Sequence, residues 1–88
     1  MAEFAIDLRR LQNSLVADNV INGFTNGVAL GGALLANELR DNVVQASGIA
    51  FAVEDSLGGN RAVNNRIVGH PRQSWRISAL QPSDAVER

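Results

Sequence analysis

Apolar and small residues recur through the middle of the chain at alternating intervals of four and three positions. This spacing places side chains on one stripe of an α-helix and is typical of a heptad-like packing seam. Gly58-Gly59-Asn60 follows it and supplies residues suited to close a helix. The seam consists of Val28, Gly32, Leu35, Leu39, Val43, Ala46, Ala50, Val53 and Leu57. We therefore predict a central helix from about Phe24 to Leu57.

A shorter apolar stripe lies near the N-terminus. Phe4, Leu8, Leu11 and Leu15 step by four, three and four residues, with polar residues between them. This spacing predicts an amphipathic helix from about Ala2 to Asp18. The predicted fold class is therefore mainly α.

One segment of the central helix also fits a strand. Ile49, Phe51 and Val53 alternate with alanines, which matches the period of a half-buried strand. Alanine favours helix over strand, and the heptad-like spacing continues through this segment. We favour the helix, with a kink at Gly48, and keep the strand as the alternative.

The pattern changes after Asn60. Gly69, His70 and Pro71 interrupt any helix, and Trp75, Ile77 and Ala79 then alternate with Arg76 and Ser78, which predicts a less regular or extended C-terminal arm. No convincing internal repeat is found. We divide the chain into a helical assembly region, residues 1–60, and an arginine-bearing arm, residues 61–88.

Glycines four residues apart are the most specific motif. On a helix they leave a groove free of side chains, along which another backbone packs closely. A helix of about 34 residues extends roughly 50 Å, twice the length of the first helix, so part of the seam would need a second subunit to cover it. The predicted self-association residues are therefore the seam together with Gly23, Gly27, Gly31 and Gly32.

Charge is distributed unevenly along the chain. Residues 1–60 hold seven acids and three arginines, a net charge of −4, whereas residues 61–88 hold five arginines and two acids, a net charge of +3. The basic segment is suited to phosphate or to the acidic part of a neighbouring copy. The residues predicted to contact a partner or nucleic acid are Arg61, Arg66, Arg72, Trp75 and Arg76.

Residues with catalytic or metal-binding chemistry are few. The chain has no cysteine and one histidine, His70, so a zinc site lacks ligands, and no serine has an evident base and orienting acid. Glu54 and Asp55 are adjacent, and neighbours on a helix point in different directions. A chain of 88 residues also has little material for a deep cleft. We predict no catalytic residue, metal or cofactor.

Three functions remain open. We favour a non-enzymatic structural subunit that assembles with copies of itself, as a filament, sheath or coat component. The first alternative is a small nucleic-acid-binding or packaging protein that uses the segment from Arg61 to Arg76. The second is a membrane-active oligomer, although the uncharged stretch from Asn19 to Asn37 contains four glycines and several polar residues and is a poor membrane span.

Overall fold

Short β-strands make up the computed structural model, which describes residues 4–88 and contains no helix among them. The prediction of a mainly α, helical protein is therefore wrong. None of these residues forms a helix that is long and apolar enough to cross a membrane. Ala2 and Glu3, which begin the predicted N-terminal helix, lie outside the described residues. The strands are β1 (Phe4–Arg9), β2 (Leu15–Ala17), β3 (Val20–Phe24), β4 (Asn26–Gly31), β5 (Leu34–Leu35), β6 (Glu38–Arg40), β7 (Val43–Ala46), β8 (Ile49–Glu54), β9 (Ser56–Gly58), β10 (Arg61–Val63), β11 (Arg66–Ile67), β12 (Gln73–Ser78) and β13 (Ala85–Val86).

The strands pair only in parallel, and they form four sheets. Sheet A has the order β1-β4-β8-β12, sheet C β13-β10-β6-β2, sheet D β11-β7-β3, and the short sheet B pairs β5 with β9. Consecutive strands of the chain therefore lie in different sheets. The chain winds through the sheets in turn and then returns to sheet A one layer further on.

Each circuit takes about the same number of residues. Along one row of sheet A, Ile6 pairs with Val28, Val28 with Phe51, and Phe51 with Trp75, so the spacings are 22, 23 and 24 residues. We define coil 1 as residues 4–25, coil 2 as 26–48, coil 3 as 49–72 and coil 4 as 73–88. The fold is a β-solenoid, in which each coil packs on its neighbours.

The core lies inside the coils. Side chains in register stack in rows along the solenoid axis, as Val28 and Phe51 do in sheet A, Leu39 and Ala62 in sheet C, and Val44 in sheet D. Phe51, Leu34, Val28 and Val44 are at most 1% exposed. Coils 2 and 3 thus supply most of the fully buried side chains.

The corners explain why the helical spacing is misleading. Equivalent corner residues Arg10, Gly32, Asp55 and Ala79 all have φ between 53° and 68°. A left-handed residue turns the chain and ends the strand, so the period-two apolar pattern of a strand is interrupted every few residues. Strand spacing plus corner residues then yields intervals of three and four positions that resemble a helix.

The predicted seam accordingly mixes environments. Val28, Leu39 and Ala50 are buried, whereas Leu57 is 58% exposed and Leu35 36% exposed. The strand alternative for Ile49 to Val53 is the correct one, since β8 covers this segment. Ala50 and Ala52 are at most 1% exposed, so close packing between coils outweighs the low strand propensity of alanine.

Residues 61–88 form no separate arm in this structure. β10 pairs with β6, and β12 pairs with β8 over Gln73–Ser78. The alternation of Trp75 and Ile77 with polar residues corresponds to β12, which is a strand of sheet A and does not project from the body. The proposed boundary after Asn60 falls within coil 3.

Candidate functional site

Two ladders of polar side chains join the coils. One contains Asn37, Asn60 and Asp84 and begins at the backbone N–H of Ser14, and the other contains Asn19, Asn42 and Asn65. Successive members are 23 or 24 residues apart, so each lies above the same corner of the next coil. Asn37, Asn42 and Asn60 are at most 8% exposed. No buried side-chain nitrogen or oxygen of residues 4–88 lacks a hydrogen-bond partner, as stable burial of such groups requires.

The ladders have a direction. Oδ1 of Asn42 accepts hydrogen bonds from the backbone N–H and the side-chain amide of Asn19, in the preceding coil, at 3.1 and 2.9 Å. Nδ2 of Asn42 donates back to the carbonyl of Val16 in that coil and forward to Oδ1 of Asn65 in the next. Within the two ladders, the backbone N–H of each member except the last donates to a side-chain oxygen of the next member, in the following coil. The two ends of the solenoid are chemically different.

Both ends expose part of the core. Within residues 4–88, no strand pairs with the outer edges of β1, β2 and β3 at one end, or of β11, β12 and β13 at the other. Several side chains of these outer layers that pack on the core are only half-buried, whereas Val16 of β2 and Ile21 of β3 are buried, at 8% and 6% exposure. These half-buried residues are Ala5, Ile6, Leu8 and Leu11 at the first end and Ile67, Trp75, Leu80 and Val86 at the last.

Trp75 is the outermost aromatic residue of its row. Its ring stacks on Phe51, with centroids 4.5 Å apart and planes 16° from parallel. One face of the indole is thus taken by Phe51, and the other lies toward the open end of sheet A. Trp75 was predicted to contact a partner, and the structure leaves it half-buried at a surface where another molecule can pack on it.

A carboxylate replaces asparagine at the last position of the first ladder. Burial tends to raise the pKa of Asp84, but hydrogen bonds from the Ser56 hydroxyl, the backbone N–H of Gln81, and the N–H and side-chain amide of Asn60 outweigh it and lower that pKa. The Asn60 contacts are 2.9 and 3.0 Å. Asp84 therefore remains ionised where it secures the final coil.

The predicted glycine groove does not form, because its residues are not on a helix. Gly23 lies in a bulge of β3 with φ of 85°, Gly32 occupies a corner with φ of 68°, and Gly31 ends β4 beside the Arg9 side chain. Gly27 is buried in β4, where an added Cβ would lie 2.5 Å from Cγ1 of Val44. Instead of making a docking groove, Gly27 allows sheets A and D of its own chain to approach.

The predicted arginine patch is spread around the solenoid. Arg61 is on sheet C, Arg66 on sheet D, Arg72 in the turn before β12, and Arg76 on sheet A. Arg76 is also engaged within the chain, with its Nη2 2.7 Å from Oε1 of Glu54 and its guanidinium 5.9 Å from the centre of the Phe4 ring. The structure does not bring these arginines together on one face.

The other singled-out residues also lie apart. Glu54 pairs with Arg76, and the backbone carbonyl of its neighbour Asp55 accepts hydrogen bonds from the N–H groups of Ala33 and Leu34. His70 is exposed in a turn of coil 3. Residues 4–88 contain no group of three or more His, Asp or Glu side chains placed to hold a metal ion.

The ladder asparagines are the residues that sequence reasoning missed. Ser14-Leu-Val-Ala-Asp-Asn19, Asn37-Glu-Leu-Arg-Asp-Asn42 and Asn60-Arg-Ala-Val-Asn-Asn65 recur at intervals of 23 residues. The match is in the polar ends of each segment, not in the apolar residues between them. A search for polar residues at a fixed interval would have shown the repeat.

The comparisons with known proteins add no relationship. No protein family, no curated protein and no solved structure matches this chain significantly.

Proposed function

We propose that this chain is a non-enzymatic structural subunit that assembles by stacking its coils head to tail on those of another copy. The observation that carries the proposal is the exposure of the core at both open ends. Ile6 and Leu8 begin two rows that end at Trp75 and Ile77, and all four are half-buried. Stacking in register would place the first coil of one copy on the last coil of the next and bury all of them.

Edge strands favour the same arrangement. An unpaired parallel strand presents a row of N–H and C=O groups that can pair with another chain. Head-to-tail contact would also keep the strands of successive copies parallel, as they are within the chain. Such an interface is heterologous and, unless it closes into a ring, produces an open filament. Each added copy of four coils would lengthen the filament by about 19 Å at the usual strand spacing.

Charge contributes little to this interface. Coil 1 contains Asp7 and Asp18 against Arg9 and Arg10, and is neutral overall. The acidic excess of residues 26–60, which hold four acids and one arginine, lies in coils 2 and 3. We expect assembly to depend on apolar burial and backbone pairing and to vary weakly with salt. We do not propose nucleic-acid binding, because the arginines predicted for it lie on different sides of the solenoid.

Sedimentation velocity across protein concentration tests the proposal directly. The backbone N–H of Gln73 donates to the carbonyl of Gly48, which directly precedes β8. Alternate residues of a parallel strand face opposite edges. The N–H of Ser74 therefore faces the open edge. Ser74→Pro removes that donor and places a ring at the edge, whereas Ser74→Ala retains the N–H. We expect the parent and Ser74→Ala to associate and Ser74→Pro to remain monomeric. A parent that stays monomeric, or a proline variant that associates equally well, would overturn the proposal.

Fibre diffraction supplies a second measurement. Concentrated parent protein should give a meridional spacing of about 4.8 Å from the stacked strands. Assemblies without that spacing would show that copies associate by some other surface.

A further inference from the structure

A second surface, on the side of the solenoid, carries exposed amide side chains that make no hydrogen bond within residues 4–88. It is a groove on sheet D and the adjoining turn, formed by Asn22–Thr25 of coil 1, Gln45–Ser47 of coil 2 and Val68–His70 of coil 3. We call this the sheet D groove. Its volume is about 360 Å³, and it is open along one side.

A bulge shapes one wall of the groove. Asn22 pairs with Gln45 and Phe24 pairs with Ala46, so Gly23 is an extra residue in β3. Its φ of 85° is readily adopted by glycine, and bulges of this kind change the direction of the following side chain. Phe24 is 53% exposed as a result, although an aromatic ring of this size usually contributes to a core.

The polar side chains of the groove are available for a ligand. Asn22 and Gln45 lie in register on adjacent strands, and both are exposed. Among residues 4–88, neither side chain makes a hydrogen bond or ion pair, in contrast to the ladder asparagines, which each bind neighbouring coils. Each amide offers both donors and an acceptor, so the pair presents complementary groups about 4.8 Å apart along the axis.

The lining residues carry no formal charge apart from any proton on His70. They include no Asp, Glu, Arg or Lys, although the chain contains 17 charged residues counted from 8 arginines and 9 acids. A charged ligand would therefore find no counter-ion in the groove. A neutral ligand with several hydroxyls and one apolar face matches the set: the hydroxyls bind amides, and the C–H face packs on the Phe24 ring.

We propose that the sheet D groove binds a neutral oligosaccharide, with one sugar ring stacked on Phe24 and hydroxyls held by Asn22 and Gln45. Because the groove crosses three coils, successive sugars would extend along the solenoid axis. His70 at the far end would contact a neighbouring sugar through its imidazole nitrogens. Binding here does not require the coil ends and does not depend on the proposed assembly.

The test is a titration of the ¹⁵N-labelled full chain with neutral hexasaccharides of glucose, xylose and N-acetylglucosamine, followed by NMR. We expect at least one of them to cause saturable shifts in the Asn22 and Gln45 side-chain amides. Phe24→Ala should weaken that binding by about tenfold or more. Val20→Ala is the matched control, because Val20 is 78% exposed on the same strand but lies outside the groove, and it should bind like the parent.

The same spectra show whether each variant is folded. No saturable shift with any of the three sugars at millimolar concentration would overturn the proposal. So would a bound sugar whose affinity is unchanged by Phe24→Ala. An acidic hexasaccharide of galacturonate should bind more weakly than the best neutral sugar, and equal binding would contradict the assignment to neutral ligands.

Discussion

Asn19 and Asn42 are joined by two hydrogen bonds to a single atom, because Oδ1 of Asn42 accepts both the backbone N–H and the side-chain amide of Asn19. Asn42 is fully buried and also binds Val16 and Asn65. Asn42→Ala would leave several buried donors and acceptors without partners. We expect it to lower the free energy of unfolding by about 2–4 kcal/mol, measured by urea denaturation. Asn22→Ala, an exposed asparagine that makes no such bond, should change stability little, and equal losses would contradict a structural role for the ladder.

The change in stability caused by Gly27→Ala has opposite signs in the observed fold and in the predicted helix. In an exposed helix interior, Gly→Ala raises stability by about 0.5–1 kcal/mol. In this structure the new methyl group would collide with the carbonyl oxygen of Ala50 and crowd Val44, so we expect Gly27→Ala to lower stability by about 1–3 kcal/mol. Thermal and urea denaturation provide the measurement.

Gly23 supplies the control for that change. An added Cβ at Gly23 meets nothing within 4 Å, and asparagine tolerates its left-handed backbone better than most residues. Gly23→Asn should therefore be close to neutral. A stabilising Gly27→Ala would refute the packing described for sheets A and D.

Acid should weaken the attachment of the last coil. The hydrogen bonds at Asp84 lower its folded-state pKa, so ionised Asp84 stabilises the fold at pH values above the unfolded carboxyl pKa of about 3.9. That contribution is lost as the pH falls through the lower folded-state pKa. Asp84→Asn keeps an oxygen acceptor for Asn60 but does not titrate. Its stability should fall less than that of the parent between pH 5 and about pH 2, and identical pH profiles would rule out the contribution.

Trp75 offers an optical report on assembly, since it is the only tryptophan and lies half-buried at an open end. If Ile6 of another copy covers it, its fluorescence should shift to shorter wavelength as protein concentration rises. Ser74→Pro should prevent this shift and Ser74→Ala should preserve it. Emission that is independent of concentration in a sample that sediments as an assembly would place the contact away from β12.

Two strands of the fold can be recognised in the sequence. The wrong prediction of a helix at one of them has a physical cause. The alternation of Ile49, Phe51 and Val53 does mark β8, and that of Trp75 and Ile77 marks β12. The low strand propensity of alanine favours a helix here, but Ala50 and Ala52 are fully buried in a strand that pairs with both adjacent coils. Tertiary packing overrode local propensity.

The candidate site could not be predicted without the register of the strands. A head-to-tail surface is defined by which strands lie in the first and last coils, and this follows only from the register. The polar repeat at Asn19, Asn42 and Asn65 fixes that register, yet it occurs among dissimilar apolar residues and does not form a periodic hydrophobic pattern. The spacing of the glycines predicts close approach to another chain, but the close approach at Gly27 is within one chain, and a Cβ at Gly23 would meet nothing within 4 Å.

The left-handed corners leave room for engineering. Ala33, Ala36 and Ala79 have φ of 78°, 54° and 53°, conformations in which an alanine is disfavoured by roughly 1 kcal/mol or more. Glycine or asparagine at these points would relieve a cost that the native chain carries without evident compensation. Replacing these three alanines should therefore raise the thermostability of the solenoid without altering any side chain of its interior.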